Sequence, residues 1–91
     1  MKYEVAVFIG RFQPFHVGHY KVVMEAMKQC RHLIIGIGSA NVSRSTKNPF
    51  TYEERVEFIK ESIPHRYLNN VHFVPLNDYL YDDVETHIAR L

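Results

Sequence analysis

Cysteine is almost absent from this chain, with Cys30 the only one. One thiol excludes an internal disulfide framework and a cysteine-only zinc site, and it suits a reducing compartment. Packing is its expected role. An excess of charge of one sign is also missing: eleven Lys and Arg face ten Asp and Glu, a formal net charge of +1. That balance provides no broad positive field of the kind that dominates nucleic-acid binding, so phosphate selectivity has to be local and no nucleic-acid partner is expected. Long apolar runs are lacking too. Nowhere are there the ~20 consecutive apolar residues that span a bilayer, and Lys2 and Glu4 surround a short apolar strand, not a signal-peptide core. A soluble, cytoplasmic protein without a membrane partner is the expectation. No carboxylate cluster, internal repeat, low-complexity tract or linker stands out.

What is present is an alternation of strand-like and helix-like segments. The 91 residues, 46% of them hydrophobic, suffice for one core but are short for a complete nucleotide-binding domain. Tyr3 to Ile9 is almost uninterrupted in apolar residues, which predicts a strand buried on both faces of a parallel sheet. A helix is predicted from near Gly18, with His19, Val22, Val23, Ala26, Met27 and Cys30 on one face. A second strand runs from Leu33 to Ile37 and ends in the polar mouth Ser39-Ala40-Asn41. Asn41 to Pro49 reads as a loop. Thr51 and Glu54 then make a capping box for a second helix, whose Val56, Ile59 and Ile63 face the core and which Pro64 stops. Val71 to Leu76 is a third strand, and a third helix is seeded near Asp82-Asp83 with Val84, Ile88 and Leu91 in register. The pattern βαβαβα predicts the α/β class, with a parallel sheet and right-handed crossovers. Ligands of such sheets gather at the carboxyl ends of the strands.

The run Gly10-Arg11-Phe12-Gln13-Pro14-Phe15-His16-Val17-Gly18-His19 leaves the first strand and enters the first helix. Unpaired N–H groups and the positive dipole end at a helix start favour an anion. His16 and His19 add ring donors there, while Gly10 frees the backbone and Gly18 permits close approach. The plain alternative is a pair of ordinary helix-start histidines, or one edge of a metal site, for which a third nearby ligand is missing. His32, His65, His72 and His87 read as surface or partly buried residues. Arg55 reads equally as a solvent-facing helix residue and as a ligand contact, and Phe12 and Phe15 as pocket lining or core.

The extended form G-R-F-Q-P-F-H-x-G-H, followed by I-G-S-A at residues 37–40 and N-P-F-T-x-x-E-R at 48–55, resembles the H-x-G-H nucleotidyltransferases. Within them it is most similar to the archaeal-type nicotinamide-nucleotide adenylyltransferases and to their relatives fused to a Nudix hydrolase domain. The likeness runs in order over roughly residues 3 to 80. It implies a Rossmann-like doubly wound sheet of which residues 1–91 form the N-terminal part, the first three β-α units only. The implied reaction is adenylyl transfer from ATP to nicotinamide mononucleotide, giving NAD and pyrophosphate by in-line attack on the α-phosphorus.

The resemblance places His16 and His19 against the ATP phosphates and makes Arg11 a phosphate contact. Gly10, Phe12, Gly18 and the basic Lys47 join them in the same role. Ser39, Asn41 and Arg44 are candidate substrate contacts, with Ser39 and Asn41 equally readable as strand-end caps. Mg²⁺ would be held mainly by the nucleotide. Two departures accompany the likeness. A second signature, Ser/Gly-Thr-x-x-Arg, lies beyond the stretch present here, so the 91 residues alone are expected to be weak or inactive, and the first strand's free apolar edge invites homo-oligomer formation. There is also no tryptophan to stack on the nicotinamide ring, leaving Tyr79, Tyr81 or His87 for that face. Transfer to pantetheine-phosphate or flavin mononucleotide, cytidylyl transfer, and a non-catalytic nucleotide-binding module are the alternatives.

Overall fold

Hydrophobic alternation and two capped helices organise the chain around a parallel sheet. The computed structural model describes residues 2–41, 43–46 and 48–77. In chain order the elements are β1 (Tyr3–Gly10), α1 (Val17–Met27), β2 (Cys30–Ile37), α2 (Tyr52–Ser62), a 3₁₀ segment (His65–Asn70) and β3 (Val71–Pro75). All strand pairs are parallel, in the order β1-β2-β3. Phe8 lies beside Ile35, and Ile35 beside Phe73. The α/β, Rossmann-like reading of the sequence is therefore the observed architecture. The predicted third helix, with Tyr79, Tyr81 and His87, lies outside the described residues, as does Lys47.

The core forms on one face of the sheet. Leu33, Ile35 and Ile37 of β2 meet Val23 and Met27 of α1 and Ile59 of α2, together with Ile63, Cys30, Val71 and Phe12. A fully buried aliphatic side chain of this size contributes about 1.5–3 kcal/mol. Cys30 is a free, buried thiol, and burial pushes its pKa up. Because side chains alternate along a strand, Val5, Val7, Ile34 and Val74 fall on the opposite face, together with the touching pair His32 and His72.

Three expectations need correction. The first strand is not buried on both faces among the described residues: Val5 and Val7 are each about half exposed, because both helices lie over the other face. Val22 is 46% exposed and outside the core, since α1 meets the sheet with Val23 and Met27, flanked by the partly buried Tyr20 and Ala26. The second strand begins at Cys30, three residues before Leu33, because the turn after Met27 is tight and Cys30 packs as a strand residue. The 3₁₀ segment carries no apolar periodicity and escaped the sequence pattern.

The second helix starts and stops as its sequence indicates. The Thr51 hydroxyl accepts from Glu54 N (3.1 Å), and Glu54 Oε1 accepts from Thr51 N (2.9 Å). Together they satisfy two of the orphan donors of the first turn.

Candidate functional site

At the carboxyl ends of the strands the chain is stitched across the sheet. Gly38 N donates to Gly10 O (2.8 Å), Leu76 N to Ile37 O (2.9 Å) and Ala40 N to Leu76 O (2.8 Å). These bonds bring the loop after β1 and the loop after β2 side by side. The residues of both sequence signatures therefore meet at one edge.

The two histidines cap α1 reciprocally. His16 Nδ1 accepts from Gly18 N (3.0 Å), and His19 Nδ1 accepts from His16 N (3.1 Å). A backbone N–H can only donate, so both Nδ1 atoms are unprotonated and each ring carries its proton on Nε2. The capping geometry thus leaves two Nε2–H donors that take no part in the cap. The rings stack with centroids 3.7 Å apart. His19 also meets Phe12 edge-on at 4.8 Å and stacks on Phe15 at 5.6 Å. Burial first, and the His16 ring second, pull the His19 pKa below its ordinary value. Both causes favour the neutral, capping form.

Neither glycine of the first signature sits at positive φ; both are required for space. A Cβ on Gly10 would stand 2.9 Å from the Phe12 ring, and one on Gly18 would stand 2.9 Å from His16 Cε1. Positive φ falls instead on Phe12 (53°), Ser39 (54°) and Arg44 (59°), where a side chain makes it costly. The Phe12 side chain is buried beneath the histidines, not presented to a ligand.

The remaining candidates divide by position. Arg11 is half-buried at the start of the signature loop. Ser39 is buried with no partner for its hydroxyl, and Asn41 is exposed beside it. Arg44 is exposed and pairs with Glu54 Oε1 at 3.2 Å. The Thr51 N–H, and after it Arg44, hold the Glu54 carboxyl below its ordinary pKa. The structure thus brings His16, His19, Gly10, Gly18, Arg11 and Ser39 to the strand ends, whereas the Arg44 guanidinium turns toward the α2 cap.

Two residues tie the signatures together: Gln13, which the sequence reading did not single out, and Arg55, which it left open between a solvent-facing residue and a ligand contact and which is neither solvent-facing nor exposed. The Gln13 side-chain amide pairs with the backbone of Phe50: its Oε1 accepts from Phe50 N (2.9 Å) and its Nε2 donates to Phe50 O (3.2 Å). Arg55 is fully buried and donates to four backbone carbonyls, those of Arg11, Gly38, Ser39 and Thr51. The signal for both was their place inside the two motifs. Gln13 belongs to G-R-F-Q-P-F and Arg55 closes N-P-F-T-x-x-E-R, and each contacts the other motif.

A family model described as cytidylyltransferase-like matches residues 7–87. The chain belongs to the cytidylyltransferase-like family. This family member is 43% identical, over 82 residues, to a nicotinamide/nicotinic acid mononucleotide adenylyltransferase of Acinetobacter baylyi, covering 90% of this chain and 43% of that protein. It is 46% identical, over 78 residues, to a nicotinamide-nucleotide adenylyltransferase of Archaeoglobus fulgidus, covering 80% of this chain and 45% of the relative. Its fold resembles that of a bifunctional NMN adenylyltransferase/ADP ribose pyrophosphatase from Francisella tularensis, crystallised with AMP and a manganese ion. The TM-score is 0.80 at 39% identity, over 91% of this chain and 25% of that one. This cytidylyltransferase-like chain thus spans less than half the length of the curated relatives it matches.

Among its described residues no group of three or more His, Cys, Asp or Glu could hold a metal ion. Among the same residues no helix is long and apolar enough to cross a membrane.

Proposed function

We propose that residues 1–91 are the N-terminal, phosphate-holding part of an adenylyltransferase domain that joins ATP and nicotinamide mononucleotide to give NAD and pyrophosphate. The observation that carries this reading is the reciprocal histidine cap, which leaves two Nε2–H donors at the start of α1 beside the ends of β1 and β2. The named activity of the relatives supplies the nucleotides.

In the reaction, a phosphate oxygen of the mononucleotide bonds to the α-phosphorus of ATP while the bond from that phosphorus to the β-phosphate oxygen breaks. The nucleophile is already an anion and pyrophosphate is a good leaving group, so positioning and charge neutralisation supply the rate. His16 and His19 donate from Nε2 to phosphate oxygens as charge develops there. Neither acts as a base toward the nucleophile. The planar fork of Arg11 and the point charge of Lys47 add positive charge. Gly10 and Gly18 provide room for the rings that shape the site, and Phe12 supports His19 from below. Ser39 and Asn41 are substrate contacts, the Ser39 hydroxyl being a buried group in want of a partner. Arg44 reaches substrate on leaving Glu54. Mg²⁺ is the divalent cation of this reading and, when bound, neutralises phosphate charge. A cytoplasmic location suits the free thiol of Cys30, and the Nudix hydrolase fusion that the sequence resemblance implies for the parent protein agrees with the second activity, ADP ribose pyrophosphatase, named for the Francisella enzyme.

Adenylyl transfer is tested by pyrophosphate release from ATP plus nicotinamide mononucleotide, alongside calorimetry with Mg·ATP on the 91-residue chain. His16→Ala should lower transfer by about 10²–10³, the usual effect of removing one donor to a developing charge. If transfer is too slow to measure in the 91 residues, Mg·ATP affinity should fall in the same direction. Equal values for wild type and variant reject the reading. The cytidylyltransferase-like match favours one other nucleotide, and CTP binding tighter than ATP would replace the adenylyl assignment.

A further inference from the structure

Arg55 is the largest fully buried side chain among the described residues, and it carries a charge. Burying a cation is costly unless its donors and charge are compensated. Here every observed partner is a backbone carbonyl. Nε donates to Thr51 O at 3.1 Å, Nη1 to Arg11 O at 3.0 Å and to Gly38 O at 2.7 Å, and Nη2 to Ser39 O at 3.1 Å. Among the described residues the ion pairs are Lys28 with Glu25, Arg31 with Glu4 and Arg44 with Glu54, so no carboxylate pairs with this guanidinium.

The clamped carbonyls are not arbitrary. Arg11 O immediately precedes Phe12, and Gly38 O immediately precedes Ser39. Both following residues are held at positive φ, 53° and 54°. Residues with a Cβ occupy that region only when their surroundings over-determine it. One guanidinium is bonded on the N-terminal side of both strained residues. From Phe12 the connection continues to the ligand-facing groups, since the Phe12 ring supports His19 edge-on at 4.8 Å and His19 accepts the His16 N–H.

We propose that Arg55 is a positioning residue of the phosphate site: its fork locks the loop after β1 to the loop after β2 and thereby fixes the backbone of Ser39 and that of Phe12 beneath His19. The role rests on the adenylyltransferase reading for its ligand but not for its geometry. Fork shape is the operative property, not charge alone. Lysine brings three donors on one atom and cannot reach four carbonyls spread over three segments.

The test compares wild type with Arg55→Lys by native-state amide exchange, thermal unfolding and Mg·ATP calorimetry. The Gly38 amide, bonded to Gly10 O across the two loops, reports the clamp. The Ile35 amide, in the central strand, reports the sheet. Arg55→Lys should speed exchange at Gly38 by roughly tenfold or more while leaving Ile35 protected, and should weaken Mg·ATP binding by a similar factor, as expected when donors lose their alignment. A merely structural role would change both amides together. Wild-type protection at Gly38 in Arg55→Lys overturns the proposal, as does parallel loss at Gly38 and Ile35. Should wild type bind no Mg·ATP, the adenylyltransferase reading fails and the exchange comparison alone decides on Arg55. Should Arg55→Lys not fold, the double variant Arg55→Lys/Ser39→Gly relieves one positive-φ residue. It is expected to fold, with Gly38 exchanging faster than in wild type. A double variant that stays unfolded, or that protects Gly38 fully, overturns the proposal.

Discussion

The chemistry of the site depends on which ring nitrogen of each histidine holds a proton. His16 and His19 both use Nδ1 as an acceptor for the α1 cap, so protonation at Nδ1 breaks a hydrogen bond. The His19 pKa lies below its ordinary value of 6.5. The unfolded chain therefore takes up this proton first as pH falls. Stability from this group is complete above about pH 6.5 and declines as pH drops from the unfolded value to the folded one. Thermal unfolding measured from pH 7.5 to pH 5 should show the decline in wild type. In His19→Gln it should be smaller, because glutamine keeps the accepting role at the third helical position without titrating. An unchanged pH profile would detach the cap from this titration. Gly10 sets a second constraint at this scale. The added Cβ of Gly10→Ala meets the Phe12 ring at 2.9 Å, so the variant should lose about 1–3 kcal/mol in denaturant unfolding, and Mg·ATP binding should weaken with it.

Among the elements, α2 contributes more than its length suggests. Its capping box, its core residue Ile59, the buried Ile63 that follows its last turn and its clamp residue Arg55 all depend on Thr51 starting the helix at the right place. Thr51→Ala should cost about 1 kcal/mol, and Ile59→Ala about 2–5 kcal/mol, both read by urea titration. This helix was legible in the sequence because its determinants are local: a cap three residues before its partner, an apolar stripe and a proline stop. The three strands and their parallel pairing were legible from the alternation of strand-like and helix-like segments, whereas the start of β2 at Cys30 and the exposed face of β1 were not. The histidine cap was not, since two histidines at that spacing look alike whether they bind metal, cap a helix or face water. Nor was the buried role of Arg55, because burial of a charge is decided by carbonyls 16 to 44 residues away. Phe12 stayed open between pocket lining and core for a related reason: its positive φ, which turns the ring under His19, is a tertiary constraint.

At the scale of the molecule, the two faces of the sheet differ among the described residues. Helices α1 and α2 cover one, while the other presents Val5, Val7 and Val74, each 40–51% exposed. Parallel sheets are ordinarily covered on both faces, and an exposed apolar surface of this kind promotes association. The 91-residue chain should self-associate with rising concentration in sedimentation experiments, and Val5→Thr with Val7→Thr should shift it toward monomer. A monomer at all concentrations would refute this.

The clamps also have a consequence for biosynthesis. Gln13 waits for Phe50, 37 residues later, and the Arg11 carbonyl waits for Arg55, 44 residues later. A ribosome that has released only the first signature has therefore released the histidines without the parts that align them. Those two clamps close only once the second helix has emerged and docked, so a nascent chain halted before that point carries the motif and its local histidine cap without the long-range bonds that hold the loop.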